Sequence, residues 1–283
     1  MSRALQRREN VAGYLFMLPS LIFFIGFVVA PMIICIGYSF TDANMNSKTV
    51  ATTFVGLKNF IDLWQDETFL LALKNTFLIV LVSVPAVCMF SLWVGSAIYH
   101  LKGPVLSAFR CIFYLPVVTG SVAVTVVWKW MYDNYTGILN YVLKGAGLIE
   151  KNINFLGDER FALWCIILIL FTTSVGQPIV LYVSALGNVD TTLIEAAQVD
   201  GANDIQVFWK VKWPQMMPTT LYILVITTIN SFQCFALIQL LTQGGSGTNT
   251  VMYYIYFTAF KLTEQRGHFG YANAMGVVLA IFI

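Results

Sequence analysis

Charged residues are bunched along this chain, and the stretches between the bunches are apolar. No charge occurs between Glu9 and Asp42, and only His100 could carry one between Lys74 and Lys102. Arg110 to Lys129 is a shorter gap and Arg160 to Asp190 a long one. From Lys212 to Lys261 the chain is again uncharged, although Gly244, Gly245, Ser246 and Gly247 interrupt the second half, and a last apolar run starts near Phe269. Each run is hydrophobic all round rather than striped, as helices facing lipid or protein on every side are. A bilayer core takes roughly 20 apolar residues of helix, so the gaps predict spans near 11–38, 74–98, 111–130, 161–186, 218–241 and 269–283. The alternating ten-residue segments of a membrane β-barrel do not occur. The predicted fold is all-α: a polytopic membrane protein with six transmembrane helices. The sixth run is short, since fifteen residues at about 1.5 Å each reach about 22 Å of a roughly 30 Å core, and it reads as a truncated final helix.

Composition narrows the class without changing it. Of 283 residues, 58% are apolar and 11% charged, whereas a soluble domain is about 25% charged. The net charge of +2 is too small to suggest a nucleic-acid partner. Five cysteines (Cys35, Cys88, Cys111, Cys165, Cys234) lie in or beside apolar runs with no C-x-x-C, and read as small core residues rather than a disulfide frame. His100 and His268 are far apart and read as interfacial polar residues, so no metal site is expected.

Arg3, Arg7 and Arg8 precede the first run, which is twice as long as the 7–15-residue core of a signal peptide. It is therefore expected to stay in the membrane, with residues 1–10 as a cytoplasmic N-terminal segment. Alternation then places the segments near 99–110 and 187–217 inside, and Lys and Arg are denser there than outside, although the last of these is net acidic. Trp93, Tyr99, Trp128, Trp130 and Trp164 stand at the ends of runs, as interfacial anchors do.

The third inner segment, Thr191 to Pro214, has the local chemistry of two short helices joined by a sharp turn. Leu193 to Val199 favour helix, Gly201 can take the left-handed conformation that ends one, Asn203 or Asp204 can cap the next, and Pro214 would close it. Ile194, Ala197, Val207, Phe208 and Val211 recur on one side, and Ala196, Ala197 and Ala202 are small enough for close approach. Such an elbow is a docking knob, or else an amphipathic connector lying on the membrane.

Glu195-Ala-Ala-x-x-x-Gly201 followed by Lys-Val-Lys-Trp-Pro214 resembles the coupling loop of ABC-importer permeases. Phe54-Val-Gly-Leu-Lys-Asn-Phe60, Asn75-Thr, Phe113-Tyr-Leu-Pro116, Gly137-Ile-Leu-Asn140 and Leu237-Ile-Gln-Leu-Leu-Thr-Gln-Gly-Gly245 resemble, in order and spacing, the first-permease branch of the maltose-type sugar importers. The similarity runs from about Tyr14 to the end. Asp190 stands where many relatives have Pro, Trp213 where they have Leu, and Ser246 where they have Pro. The resemblance implies a type I ABC-importer permease domain over residues 11–283, with a cytoplasmic coupling loop at 190–217. It implies that Glu195, Ala196, Ala197, Asp200 and Gly201 dock on a cytoplasmic ATPase. It also implies a second homologous permease, two ATPase subunits, an extracytoplasmic solute-binding protein and a place in the bacterial inner membrane. No G-x-x-x-x-G-K-[ST] phosphate loop is present; ATP and magnesium would be bound by the ATPase, leaving this chain without a cofactor and without catalysis of its own.

Polar residues deep in a span are costly unless they line a cavity or pair. The fourth run carries Thr172, Thr173, Ser174 and Gln177 before Pro178; the fifth carries Thr227, Thr228, Asn230, Ser231, Gln233 and Cys234. Phe171, Tyr182 and Phe232 lie near them in sequence, and no ionisable acid or base is among them. Hydroxyls, amides and an aromatic face suit an uncharged, hydroxyl-rich ligand such as a sugar, and a proton- or sodium-driven carrier would place a carboxylate there. Thr227, Asn230, Ser231 and Cys234 fall on one helical stripe. The resemblance implies sugar contacts at these four and at Leu170, Ser174 and Gln177. Interhelical hydrogen bonding is the competing role for the same residues. Pro85 and Pro116 kink helices that either gate the path or only tune packing, and Gly244 to Gly247 is a flexible crown facing the binding protein or a plain linker. A secondary sugar carrier would also explain the spans and the polar stripe, but not the acidic elbow.

Overall fold

The structure, a computed structural model, describes residues 3–44, 52–260 and 267–283, including their side chains except those of 3–9 and Val11. The described residues are mostly helical, and strand pairing among them amounts to two isolated bridges, Thr41 with Phe54 and Asn44 with His268. α1 (Arg3–Phe24) passes through a widened turn at Ile25–Val29 into α2 (Ala30–Ser39), so the basic N-terminal residues belong to the first helix. After α3 (Lys58–Leu63) comes α4 (Glu67–Ile98), which carries Pro85 inside it. α5 (Pro104–Val118) and α6 (Ser121–Met131) follow, then α7 (Ile138–Gly145). α8 (Ala162–Ser174) and α9 (Gly176–Gly187) lead to α10 (Thr191–Val199) and α11 (Asp204–Val207). A second widened turn, Phe208–Lys212, continues α11 into α12 (Trp213–Phe232); α13 (Ala236–Leu241), α14 (Val251–Phe260) and α15 (Phe269–Phe282) complete the series.

Three of the described helical runs are long and apolar enough to cross a bilayer unbroken: Ala12–Ser39, Glu67–Ile98 and Asp204–Leu241. Two more reach that length only as bent pairs, α5 with α6 and α8 with α9. The expected span near 111–130 is therefore found as part of a bent pair of helices and not as one helix. The chain turns by 91° between α5 and α6, because Gly120, just before α6, sits at φ +84° and ψ +138°, a conformation open to glycine and rare for L side chains. A gap between charges measures how much chain is apolar, not its direction. The span at 161–186 bends by 40° at Val175, where Pro178 has no N–H to give the Ser174 carbonyl. α14 lies in a stretch read from the sequence as an outer segment; at ten residues, about 15 Å, it is too short to cross alone.

Pro214 does not close the second helix of the elbow, contrary to expectation. It lies in the first turn of α12, just after the widened turn, whose closing bond runs from the Trp213 N–H to the Phe208 carbonyl. The first widened turn likewise precedes Pro31 and closes from Ala30 to Ile25. Proline in a regular helix loses one hydrogen bond and meets the carbonyl four residues back; a local five-residue turn moves that carbonyl aside without ending the helix. The elbow's second helix and the fifth span are thus one rod from Asp204.

The described chain divides into two compact units. In the one formed by residues up to Asp66 and Ile255–Phe282, α15 packs on α2 and α3. Asn59 donates to the Ser39 and Thr41 carbonyls there, and Tyr271 to Asp66. No residue in the most apolar stretch of Ala12–Ser39 is buried, and large side chains such as Phe16 and Phe27 point outward, as suits a helix whose solvent is lipid. In the larger unit, Glu67–Tyr254, α4 and α9 pack along each other and both contact α12. Ile79, Ile166, Ile169 and Ile238 fill one core, Val87, Ile179 and Val183 another. Close packing needs Gly176: a Cβ there would collide with the Phe113 carbonyl of α5. Among the cysteines only Cys165 and Cys234 are core residues as expected; Cys35 and Cys111 are exposed.

Candidate functional site

The elbow is built by ordinary capping chemistry. Asp190 opens α10 by accepting from the Thr192 hydroxyl at 2.8 Å and from its N–H at 2.9 Å, and these bonds hold its carboxyl below the ordinary carboxylate range. α10 ends with the Ala202 N–H bonded to the Ala197 carbonyl and the Gly201 N–H to that of Gln198, with Gly201 at φ +80°. That pair of bonds is the Schellman closure, which requires a left-handed residue where Gly201 stands. Asn203 and Gln206 then cap each other across the start of α11, at 2.9 and 3.0 Å. Lys212 donates to the Tyr99 hydroxyl at 2.8 Å and ties the widened turn to the segment after α4.

The elbow's faces are assigned differently from the sequence reading. Val207 is buried, and Ile194 and Phe208 pack on Leu186, Val189 and Met216, so that apolar stripe seats the elbow on its own protein. Outward face Glu195, Ala196, Asp200 and Gly201, with Ala197 half-buried. They are accompanied by Leu193, Val199 at 88% exposure and Ile205 at 71%. The exposed surface therefore mixes two acids, small residues and three large apolar side chains.

The polar residues of the fourth and fifth apolar runs converge within the larger unit. Ser174 and Gln177 from α8–α9 meet Thr227 and Asn230 from α12 around a cavity of about 140 Å³, with Val117 of α5 on its wall. A neighbouring cavity of about 290 Å³ shares Val117, Thr173 and Asn230 and adds Leu170, Gln233 and Cys234. Of the seven path residues expected, six thus line this groove. Ser231 does not; it is 2% exposed, packed away from both cavities. α12 ends at Phe232, so Cys234 is not on the helical stripe but in the break before α13, where its carbonyl accepts from Thr250.

The structure also sorts these polar groups by how their bonds are used. Thr172, Thr173 and Thr228 return their hydroxyls to their own helices. Among the described residues, Ser174, Gln177, Thr227 and Asn230 make no side-chain hydrogen bond, which is unlike residues that tie helices together. The aromatic face differs from the expected one: Tyr182 and Phe232 are buried, and Tyr222 and Phe235 line the groove instead. Val117 directly follows the Phe113-Tyr-Leu-Pro116 motif but carried no signal of its own in the sequence, and the bend after it could not be counted from charges.

The glycine turn is held by hydrogen bonds. Gln243, Gly244, Ser246 and Gly247 all have positive φ, and the arrangement is bonded to α4. Asn75 donates to the Gly247 and Asn249 carbonyls at 2.7 and 2.9 Å, the Thr76 hydroxyl accepts from Val251 N–H, and Thr242 bonds Thr248.

Comparison with known proteins agrees with this architecture. Residues 13–283 match the family model described as the binding-protein-dependent transport system inner membrane component. The chain is 33% identical over 98% of its length to the probable ABC transporter permease protein YesP of Bacillus subtilis, covering 88% of that protein. It is 28% identical over 99% of its length to the lactose transport system permease protein LacF of Rhizobium radiobacter, covering 93%. It is 32% identical over 91% to the diacetylchitobiose uptake system permease protein NgcF of Streptomyces coelicolor, covering 74%. Among solved structures it superposes with a TM-score of 0.77, at 26% identity, on a chain of a bacterial ABC transporter involved in the import of the acidic polysaccharide alginate, over 99% of this chain and 94% of that one. By these matches the chain belongs to the family of inner-membrane permease components of binding-protein-dependent transport systems.

Proposed function

We propose that this permease carries a sugar or oligosaccharide along the groove between α5, α8–α9 and α12, driven by an ATPase docked on the elbow. The observation that carries the reading is the unspent hydrogen-bonding capacity of Ser174, Gln177, Thr227 and Asn230 around one cavity. Thr227 is buried, Ser174 half-buried, and Gln177 and Asn230 exposed, so their free donors and acceptors are open to a hydroxyl-rich solute as it passes. Leu170 and Cys234 extend the wall, and Ser231 acts indirectly, by packing. The lactose and diacetylchitobiose relatives support a saccharide as the solute.

Glu195, Ala196, Ala197, Asp200 and Gly201 form the docking surface in this reading, with Leu193, Val199 and Ile205 filling an apolar cleft beside an ion pair to Glu195. The N-terminus and the elbow share the cytoplasmic side. A second, homologous permease completes the path, two ATPase copies hold ATP and magnesium, and a binding protein delivers the solute from outside. Nucleotide-driven closure of the ATPases pulls on α10, and the rod from Asp204 to Phe232 transmits the motion to Thr227 and Asn230. Asn230→Ala tests the groove: uptake at low sugar concentration is expected to fall about tenfold, with a raised KM and normal assembly. Uptake unchanged in the assembled variant refutes the groove as the solute path.

A further inference from the structure

The groove is uncharged where its two cavities meet, but it does not end there. Gln177 and Leu181 also line a third cavity of about 450 Å³, whose remaining walls are Arg110, Cys111, Tyr114 and Val180. Arg110 lies six residues into α5, about 9 Å along the helix, and among the described residues no acidic side chain lines any of the three cavities. It is half-buried, its Nε is shielded without a hydrogen-bond partner, and among the described residues it forms no ion pair. A partly desolvated guanidinium is unfavourable unless an anion meets it.

We infer that Arg110 recognises a carboxylate on the transported saccharide, so that the solute is an acidic sugar, one bearing a uronic acid unit. Chemistry favours this class: the guanidinium offers a planar fork of donors, matched in geometry by a carboxylate and not by a hydroxyl. Gln177, on the wall shared with the 140 Å³ cavity, would hold a neighbouring hydroxyl while the carboxylate sits on Arg110, and Tyr114 supplies a ring and a hydroxyl beside them. The uncharged part of the groove would then read the sugar ring and Arg110 its charge. The inference rests on the groove being the solute path.

The test uses the complete importer in cells lacking the chromosomal copy, with a labelled disaccharide ending in a uronic acid and its neutral counterpart. Wild type is expected to prefer the uronide. Arg110→Gln should lower the acidic-to-neutral uptake ratio roughly tenfold or more and raise KM for the uronide, and Arg110→Lys, which keeps charge but loses the fork, should fall between. A wild type indifferent to the carboxylate overturns the inference. So does an Arg110→Gln importer that loses both solutes equally, which would reassign the guanidinium to a lipid phosphate or a neighbouring subunit. If Arg110→Gln does not reach the membrane, Arg110→Lys decides, and an unchanged ratio and KM are fatal. Failure of the groove reading itself is separable, since Asn230→Ala would then leave uptake of both disaccharides intact.

Discussion

Gly201 illustrates how one residue sets the elbow. Nothing lies within 4 Å of a Cβ placed on it, so substitution is resisted by the backbone alone, at about 1–2 kcal/mol for an L-residue in the left-handed region. Gly201→Val is expected to keep normal amounts of protein in the membrane while abolishing transport and ATPase stimulation. Gly201→Asn, which tolerates that conformation, should retain much of both. Equal activity for the two variants would remove the turn from the coupling mechanism. Asn75 plays the comparable part on the glycine turn: it is 5% exposed and saturates two carbonyls. Asn75→Ala should cost about 1–3 kcal/mol, measured as a lowered Tm of the purified importer, and should weaken stimulation of its ATPase by the binding protein.

Among the elements, the crossing of α5 and α9 depends on a missing side chain. The Phe113 carbonyl occupies the place of a Cβ on Gly176, and backbone cannot step aside as a flexible side chain can. Gly176→Ala should therefore separate the two helices and cost about 1–3 kcal/mol; an unchanged Tm would show that the helices do not approach that closely. The two widened turns ahead of Pro31 and Pro214 act in the opposite sense, since they preserve continuity. The second makes the elbow and the Thr227–Asn230 wall parts of one rod, which offers motion at Asp204 a route into the membrane.

For the whole molecule, the proposed docking of an ATPase on the elbow predicts strictly coupled transport. Vesicles containing this permease and its partners without the ATPase should accumulate no solute against a gradient, and adding the ATPase with ATP and magnesium should restore uptake. Accumulation in the absence of nucleotide would overturn the whole mechanism.

Local features were legible in the chain itself. Apolar length foretold where helices run, Gly201 and the Asn203–Asp204 pair foretold the turn and the second cap, and Ser174, Gln177, Thr227 and Asn230 stood out as polar groups in apolar runs. These depend on residue type and near neighbours, which a sequence records directly. Direction and partnership were decided only by the tertiary structure. Gly120 turns one expected span into two helices at 91°, and Pro214 lies within a rod instead of ending a helix. Ser231 faces packing while its neighbour Asn230 faces the cavity, and Arg110, read as a charge bounding an apolar run, lines a cavity beside Gln177. Each of these depends on which distant backbone lies opposite, and spacing along one chain carries no measure of that.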